Sequence, residues 1–377
     1  MHDLPSILIL NERDPAHPRA GGAEIHVEQI FSRLVERGHR VHQLSTGFRG
    51  APQEEQRRGI RIERRGPLAA YYATLPLRLR RAVRRHAVDV VVECLNKLPF
   101  YAPLHAPVPV LALCHHLFGE VAFDQVAWPI AAAVRAAELG LPRAYQDVEF
   151  LAISESTRAD LIARGLPGPT IHVSPPGIDP PRIAVDPARS RPVRIAYVGR
   201  LESYKQIELM LEAAARLAAR HPDLEVFVIG RGSERARLES RAARLGLEAR
   251  TTFTGFVTDA ERDRLLAHTR VCVFPSRKEG WGLTVIEANA LGTPVVALDA
   301  PGLRDSIRHE QTGLLVGSAS PADFASAIER LLGETDETIA MRRSAIAWAS
   351  RFDWERAADD MQVAIDRARS RHRRRAA

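Results

Sequence analysis

A chain of 377 residues, of which 45% are hydrophobic and 26% charged, is long enough for two globular domains. No apolar run approaches the roughly eighteen residues that a membrane-spanning helix needs, so the pattern disfavours an integral membrane protein. The formal net charge is +7, but six arginines fall within residues 367–377. We therefore interpret most of the basic excess as a solvated tail and expect no nucleic-acid partner.

The cysteines and the amino terminus both bear on the cellular compartment. Cys94, Cys114 and Cys272 are odd in number, widely spaced, and lie in or beside apolar runs. This usage is typical of reduced core residues rather than of disulfides. A strand-like run at residues 7–10 also leaves too little sequence before it for a signal peptide. We expect a cytoplasmic protein.

The first predicted strand, residues 7–10, leads into a loop that ends in Gly21 and Gly22. Apolar residues then recur at helical spacing until Gly38 ends the helix. A strand, a double glycine and a helix start together let backbone amides approach an anion such as phosphate, although such a pair also makes ordinary turns. No Gly-x-Gly-x-x-Gly follows the strand, so we expect no nicotinamide or flavin cofactor.

Residues 57–85 contain ten arginines and one glutamate, and residues 75–88 within and just beyond this stretch predict a basic amphipathic helix. One interpretation is a helix packed on the sheet with a solvated arginine face. The other is a surface that attracts anionic lipid or a phosphorylated acceptor. Both remain open at this point.

Continuous apolar runs at residues 89–93 and 109–114 predict two buried parallel strands. The second run is followed directly by His115. In open α/β sheets, ligands collect beyond the carboxyl ends of the strands, which makes His115 a candidate site residue. The alternative is a histidine with a purely structural role at the strand end.

Six prolines between residues 175 and 192 predict a linker between two domains. A new strand at residues 193–198 is followed by Arg200 and Lys205. Two cations at this spacing, on either side of a strand-to-helix turn, can hold opposite sides of one diphosphate. The alternative is two solvated cations.

Residues 279–287 read Glu-Gly-Trp-Gly-Leu-Thr-Val-Ile-Glu, between a strand-like run at 271–275 and a helical pattern at 284–291. A helix that starts directly after a glycine-containing loop presents free amides that favour phosphate. A carboxylate beside a bound phosphate accepts hydrogen bonds from hydroxyls, as the acidic residue of dinucleotide folds does on a ribose. The alternative is a solvated Glu279 and a helix-surface Glu287.

The Glu279-x7-Glu287 pattern resembles the signature of glycosyltransferase family 4 (GT4), whose members are retaining nucleotide-sugar enzymes of the GT-B fold. The run from Gly199-Arg-Leu to Lys205 is similar to the family's diphosphate motif. The loop at residues 21–24 and the apolar strand that ends in His115 are similar to further motifs. The chain departs from the family where His116 replaces a common Asp. The resemblance covers nearly the whole chain.

The resemblance implies an α/β fold of two facing Rossmann-like domains, each a doubly wound parallel sheet, with a C-terminal helix that crosses back to the first domain. Residues 1–180 would form the acceptor-side domain and 193–352 the nucleotide-sugar domain, joined by the linker at 181–192. Residues 353–370 would form the return helix, and 371–377 a disordered basic tail.

The resemblance also implies ten site residues with two roles. The donor-binding residues are expected to be Gly21, Gly22, Arg200, Lys205, Gly282, Leu283, Thr284 and Glu287. The catalytic residues are expected to be His115, near the donor sugar, and Glu279, which would hold a sugar hydroxyl rather than act as a covalent nucleophile. Arg200, Lys205 and the helix start at 282–284 would stabilise the leaving diphosphate, and Glu287 would hold the ribose.

The expected function is transfer of a sugar from a nucleotide-diphosphate donor to an acceptor hydroxyl with retention of configuration. The chain contains no Asp-x-Asp, so we expect no metal and no cofactor. UDP and GDP stay open as donor nucleotides, and a glycan, a lipid-linked glycan or a small molecule as acceptor, held in part by residues 117–128. The alternatives are a nucleotide-sugar-binding protein without catalysis, a partner at the membrane surface, and a GT-B epimerase. Contact with the inner membrane face is likewise left open.

Overall fold

The computed structural model describes residues 4–96, 98–117 and 128–376. The chain divides into two compact units. The first comprises Met1–Gly177 together with Asp353–Ala377, and the second comprises Ile178–Phe352. Each unit is built on its own sheet.

The sheet of the first unit has the order β3-β4-β2-β1-β5-β6-β7-β8. Its strands are β1 (Ile7–Leu10), β2 (Val41–Ser45), β3 (Glu54–Arg57), β4 (Ile60–Arg64), β5 (Val90–Leu95), β6 (Val110–Cys114), β7 (Glu149–Ala152) and β8 (Ile171–Val173). Ile7 pairs with Val41 on one side and Val90 on the other, so β1 lies inside the sheet. All pairings are parallel except β3 with β4. Strands buried on both faces are mostly apolar, which explains the continuous apolar runs of β1 and β6.

The helices of the first unit cover the faces of this sheet. They are α1 (Gly22–Glu36), α2 (Leu68–Arg85), α3 (Trp128–Leu139), α4 (Leu141–Tyr145), α5 (Glu155–Ala163) and α13 (Trp354–Ala376). Helix α13 comes from the far end of the chain and is tied to α1, where Arg33 bonds Glu355 at 2.8 Å and Arg37 bonds Asp359 at 2.7 Å.

The sheet of the second unit has the order β11-β10-β9-β12-β13-β14 and is parallel throughout its recorded pairings. Its strands are β9 (Arg194–Val198), β10 (Glu225–Ile229), β11 (Thr251–Gly255), β12 (Val271–Phe274), β13 (Val295–Leu298) and β14 (Gly313–Val316). The first strand in sequence, β9, lies at the middle of the sheet. This is the strand order of a dinucleotide-binding Rossmann fold.

The second unit carries helices on both sides of its sheet. They are α6 (Ile207–Leu217), α7 (Arg235–Arg244), α8 (Asp259–Ala267), α9 (Leu283–Ala290), α10 (Leu303–Ser306), α11 (Pro321–Leu332) and α12 (Asp336–Ala349). The core is aliphatic, and Ile195, Val228 and Val273 are fully buried. Two Rossmann-like units with parallel sheets confirm the predicted α/β fold.

Three segments differ from the expectations. The proline-rich stretch belongs to the second unit and is held there by Arg191, which is 3% exposed. Its guanidinium donates to the carbonyl oxygens of Thr269 at 2.9 Å and Leu291 at 3.0 Å. A buried cation that satisfies several carbonyls explains why this stretch is packed rather than a free linker.

The basic end of the chain is helical as far as Ala376 instead of ending at residue 370. Arg375 bonds Asp147 at 2.7 Å, and Arg371 bonds Glu149 at 3.3 Å. Positive side chains also suit the negative end of a helix dipole. The expected disordered tail is therefore an extension of α13.

Helix α2 begins at Leu68, seven residues before the predicted start, and contains Pro76 in its interior. Tyr71, Leu75 and Leu79 recur at one face of the helix and are buried, and the Tyr71 hydroxyl donates to the Leu44 carbonyl oxygen at 2.9 Å. This packing outweighs the local cost of the proline. Among the described residues, no helix is long and apolar enough to cross a membrane.

Candidate functional site

The two central strands of the second unit, β9 and β12, are neighbours in the sheet but lie far apart in sequence. From β9 the chain continues to β10 on one side, while β12 starts the other half of the sheet. In doubly wound sheets, the loops after two such strands diverge and leave a crevice for the ligand. Lys205 follows β9, and Glu279 follows β12. The fold thus brings these two predicted site residues to the edge of the sheet where β9 and β12 diverge.

Lys205 and Glu279 form an ion pair in which the ammonium donates to Oε1 of the carboxylate. The two side chains are 12% and 18% exposed. Burial is the largest single influence on the pKa of Lys205 and lowers it, but the charge of Glu279, aided by two nearby tyrosines, outweighs that effect. The pKa lies above its ordinary value, so the lysine is charged throughout the physiological range.

Arg200, the second predicted cation, is exposed at the turn after β9. Its Nη2 donates to the Tyr204 hydroxyl at 3.1 Å, while the Tyr197 hydroxyl donates to the Arg200 carbonyl oxygen at 2.8 Å. The backbone of the turn is therefore fixed from below by a buried tyrosine, and the guanidinium stays at the surface. Such an arginine can offer its fork to a phosphate at little desolvation cost.

Close backbone packing sets the position of Glu279. Its amide donates to the Pro301 carbonyl oxygen at 3.0 Å. Gly302 has φ +82°, and a Cβ there would lie 2.3 Å from the Glu279 carbonyl oxygen. Only glycine permits that approach. The loop after β13 thus supports the loop that carries Glu279, a contact that the sequence interpretation missed.

Helix α9 starts where the phosphate-binding interpretation requires. Gly282 precedes it with φ +99° and provides no side-chain cap for the first turn. The amides of Leu283 and Thr284 lie at this uncapped end, whose partial positive charge suits an anion. Trp281 is 5% exposed and packs edge-on against Phe352, with ring centroids 5.2 Å apart, which holds the entry to the helix.

Glu287, in the second turn of α9, is bonded to Arg262, with Nη1 2.9 Å from Oε1. Burial is the main cause that raises the pKa of Glu287 to about 7; Arg262 opposes the rise, and Asp259, Asp263 and Asp179 add to it. Arg262 is not among the ten predicted site residues. Arg262 was missed because the pattern around it reads only as a charged helix surface.

In the first unit, His115 follows β6, and its Nε2 lies 3.0 Å from Nδ1 of His26 on α1. The rings are 3% and 1% exposed. Burial lowers the pKa of His26 to about 3 and, with the neighbouring histidines, lowers the pKa of His115 well below its ordinary value. Both rings are therefore neutral near pH 7, and one donates while the other accepts. Trp354 lies against His26, with centroids 5.9 Å apart.

Gly21 and Gly22 form the junction between the first loop and α1. The Gly21 amide donates to Oε2 of Glu24 at 2.7 Å, and Gly21 has φ −149°. A negative φ does not require glycine, and a Cβ at Gly21 would have Oε2 of Glu24, at 3.8 Å, as its nearest contact. Further back, Asp14 accepts two bonds from buried Arg64, at 2.7 and 2.8 Å, which anchors the loop.

Two remaining expectations concern the metal and the acceptor loop. No group of three or more histidine, cysteine or acidic residues could hold a metal ion within residues 4–96, 98–117 and 128–376. The expected acceptor loop at 117–128 lies almost wholly outside the described residues. The expected roles of the ten site residues stay predictions.

Comparison with known families settles the relationship of the chain. Residues 20–182 match the family described as Glycosyltransferase Family 4, and residues 183–348 match Glycosyl transferases group 1. The chain belongs to glycosyltransferase family 4. This confirms the resemblance drawn from the Glu279–Glu287 motif.

Individual relatives agree with this membership of the GT4 family. The chain is 33% identical over 220 residues to a D-inositol 3-phosphate glycosyltransferase of Jonesia denitrificans, covering 53% of this chain and 52% of the relative. It is 31% identical over 294 residues to the protein of that name from Salinispora tropica, covering 71% and 61%. The chain spans about half the length of the first curated relatives it matches.

Solved structures show the same fold. Sucrose-phosphate synthase of Thermosynechococcus elongatus superimposes with a TM-score of 0.81 at 23% identity, covering 95% of this chain and 97% of that one. Anabaena Alr3699/HepE, solved with UDP and glucose, gives a TM-score of 0.73 at 21% identity, covering 95% and 98%. At these identities the likeness establishes the GT-B fold.

Proposed function

We propose that the protein transfers a sugar from a nucleotide-diphosphate donor to an acceptor hydroxyl, with retention of configuration and without a metal. The observation that carries this proposal is the pairing of Lys205 with Glu279 where β9 and β12 diverge. Lys205 provides a cation for a phosphate group, and Glu279 provides a hydrogen-bond acceptor for sugar hydroxyls. A sugar joined to a diphosphate would use both groups. Membership of the GT4 family supports the same reaction.

The leaving diphosphate gains negative charge as the bond from the anomeric carbon to its oxygen breaks. Lys205, Arg200 and the amides at the start of α9 would stabilise that charge, in the role that a divalent cation has in other transferases. Lys205 would then exchange its bond with Glu279, wholly or in part, for a phosphate oxygen. The carboxylate is released to accept a bond from a sugar hydroxyl.

The roles proposed for the other site residues follow from the hydrogen bonds that their side chains can form. Glu287 would accept hydrogen bonds from the ribose hydroxyls, since an ionised carboxylate is purely an acceptor. His115, neutral and paired with His26, would orient the donor sugar rather than carry charge to it. Gly21 and Gly22 would leave room for donor and acceptor at the start of α1.

The acceptor class is proposed from the relatives. Several of them are named D-inositol 3-phosphate glycosyltransferases, so a phosphorylated cyclic polyol is the first acceptor to test, ahead of glycans and lipid-linked glycans. UDP is the first nucleotide to test, because Anabaena Alr3699/HepE was solved with UDP and with UDP-glucose.

We propose that the protein is cytoplasmic and that it contacts anionic membrane peripherally through α2. The arginines at positions 80, 81, 84 and 85 are exposed on this helix. Basic side chains on one amphipathic helix are attracted to anionic headgroups. Sedimentation with phosphatidylserine liposomes tests the contact, and absence of binding at low salt would remove it.

The transfer reaction is tested with labelled UDP-sugars and GDP-sugars, with and without inositol phosphate, in the presence of EDTA. Transfer to the acceptor with the donor's anomeric configuration, established by NMR of the product, supports the proposal. Donor consumed without acceptor would indicate an epimerase. Donor bound but not turned over with any acceptor class would indicate a binding protein, and loss of transfer in EDTA would contradict metal independence.

A further inference from the structure

We propose that Arg262 is a positioning residue for the donor ribose, because it orients the carboxylate of Glu287 toward the ribose hydroxyls. The inference rests on the proposed binding of the ribose by Glu287. It assigns a role to a residue on α8, an element that none of the ten predicted site residues belongs to.

The contacts of Arg262 fix its guanidinium from three sides. Nη1 donates to Oε1 of Glu287 at 2.9 Å and lies 3.3 Å from Oδ1 of Asp259. Nη2 and Nε donate to Oδ1 of Asp263 at 2.9 and 3.2 Å. Asp263 is itself held by the Arg182 amide at 3.0 Å. A planar fork bound this way directs one N–H at one oxygen of Glu287.

The arrangement leaves the other oxygen of Glu287 available. Within the described part of the chain, no recorded hydrogen bond reaches Oε2 of this carboxylate. One carboxylate oxygen of Glu287 is bonded to Arg262, and the other has no hydrogen bond recorded among the described residues. In this arrangement the carboxylate can accept hydrogen bonds from neighbouring hydroxyls. The side chain is 23% exposed, so an incoming ligand can reach it.

The charges around Glu287 explain why an arginine is needed. Burial is the main cause that disfavours its ionised form, and Asp259, Asp263 and Asp179 add to this effect. Arg262 is the cation that opposes them. Without it, four carboxyl groups would share the site, and the pKa of Glu287 would rise further above its present value of about 7. A protonated carboxyl loses part of its capacity to accept.

A double-mutant cycle with UDP and GDP as probes tests the inference by calorimetry. We expect Arg262→Gln to weaken nucleotide binding about tenfold or more at pH 7.5, since it removes a hydrogen bond between charged groups. In a Glu287→Gln background the same change should have little effect. Arg262→Lys, which keeps the charge without the fork, should fall between. Arg264→Gln, an exposed site on the same helix, is the matched control.

Two further readouts separate positioning from scaffold support. With 2′,3′-dideoxy-UDP, which lacks the hydroxyls, wild type and Arg262→Gln should bind alike. Wild-type affinity for UDP should fall as pH drops through about 7, because Glu287 takes up a proton there. In Arg262→Gln the midpoint should move to higher pH, and Glu287→Gln should lack this step.

The outcomes distinguish a failure of the role of Arg262 from a failure of the proposed donor site. If neither UDP nor GDP binds wild type, the proposed donor site fails and this inference falls with it. If wild type binds but Arg262→Gln matches it in affinity and pH midpoint, only the role of Arg262 is overturned. The role of Arg262 would also be overturned if Arg262→Gln weakened the binding of UDP and of its dideoxy analogue equally, both in wild type and in the Glu287→Gln background. Should Arg262→Gln not fold, the Arg262→Lys series decides on the same criteria.

Discussion

Lys205 and Glu279 are 74 residues apart in sequence, yet their side chains bond each other at the ends of neighbouring strands. In the absence of nucleotide, each neutralises the other. A phosphate that binds Lys205 must therefore compete with a carboxylate that is already in place. Under the proposed function, this competition would limit how tightly the spent nucleotide is held.

We predict that Glu279→Gln binds the nucleoside diphosphate about three- to tenfold more tightly but transfers sugar at least roughly a hundredfold more slowly. The amide no longer competes for Lys205, while a charged hydrogen bond to the sugar is lost. Calorimetry and a transfer assay measure the two effects. Glu261→Gln, an exposed change on α8, is the control. Weaker nucleotide binding by Glu279→Gln would contradict the competition.

The His26–His115 pair leads to a prediction about turnover alone. We expect His115→Ala to lower kcat about a hundredfold or more and His26→Phe about tenfold, since the second change removes only the hydrogen bond that orients the ring. Nucleotide affinity should change less than about threefold in both. Steady-state kinetics with calorimetry separates the two quantities.

The same pair has a defined pH behaviour. Because both histidine pKa values lie below the ordinary 6.5, we expect neither ring to gain a proton between pH 6.5 and 8. We therefore expect wild type and His26→Asn to share the shape of the kcat profile over this range. A profile whose acidic limb disappears in His26→Asn would show that this pair titrates and would refute the neutral assignment.

Glu287 should reduce the stability of the folded protein at neutral pH. Its pKa is about 7 when folded against an ordinary 4.5, so the folded state holds the proton more tightly. Between pH 4.5 and 7 the unfolded state releases this proton while the folded state keeps it. The free energy of unfolding therefore falls as pH rises from about 4.5 to about 7. We expect Glu287→Gln to be more stable by about 1–3 kcal/mol at pH 8, with the difference closing toward pH 5. Thermal unfolding across pH measures it, and parallel curves for the two proteins would contradict it.

The buried pair of Asp14 and Arg64 should support the loop that leads to Gly21. The two side chains are 0% and 1% exposed, so Asp14→Asn leaves a buried arginine partly unpaired. We expect a loss of about 3 kcal/mol and a Tm lower by about 6–12 °C. Glu54→Gln, an exposed partner of Arg65, should change Tm little. A small effect of Asp14→Asn would show that the loop does not depend on this bond.

Much of the fold could be predicted because strand burial leaves a local signal. The runs that became β1 and β6 are apolar throughout, and β5 is apolar except for the buried Glu93. The glycine loop before α9 marks a strand-to-helix turn. The hairpin of β3 and β4 was missed, although Arg58 and Gly59, both at positive φ, mark its two-residue turn. Proline is a local signal for a helix end or a linker. Tertiary packing outweighs that signal at Pro76, which lies inside α2, and in the proline-rich stretch, which is packed in the second unit.

The site was predictable only in part, because its chemistry depends on contacts between distant residues. Type and spacing singled out Lys205, Glu279 and Glu287 individually. They did not show that Glu279 is hydrogen-bonded to Lys205, or that Glu287 is hydrogen-bonded to Arg262. Similarly, His26 is 89 residues from His115 and gave no signal beyond a polar residue on a largely buried helix. Such pairs follow from tertiary packing, which motifs do not encode.

The most direct test of the donor site is thermal unfolding of wild type and Glu287→Ala with UDP, GDP, ADP and TDP in the absence of metal. A ligand that binds only the folded state stabilises it by about 2.7 kcal/mol at one hundred times its dissociation constant. The account predicts that one nucleotide raises the Tm of wild type by several degrees and leaves that of Glu287→Ala unchanged. No shift of wild type by any of the four at millimolar concentration would contradict it.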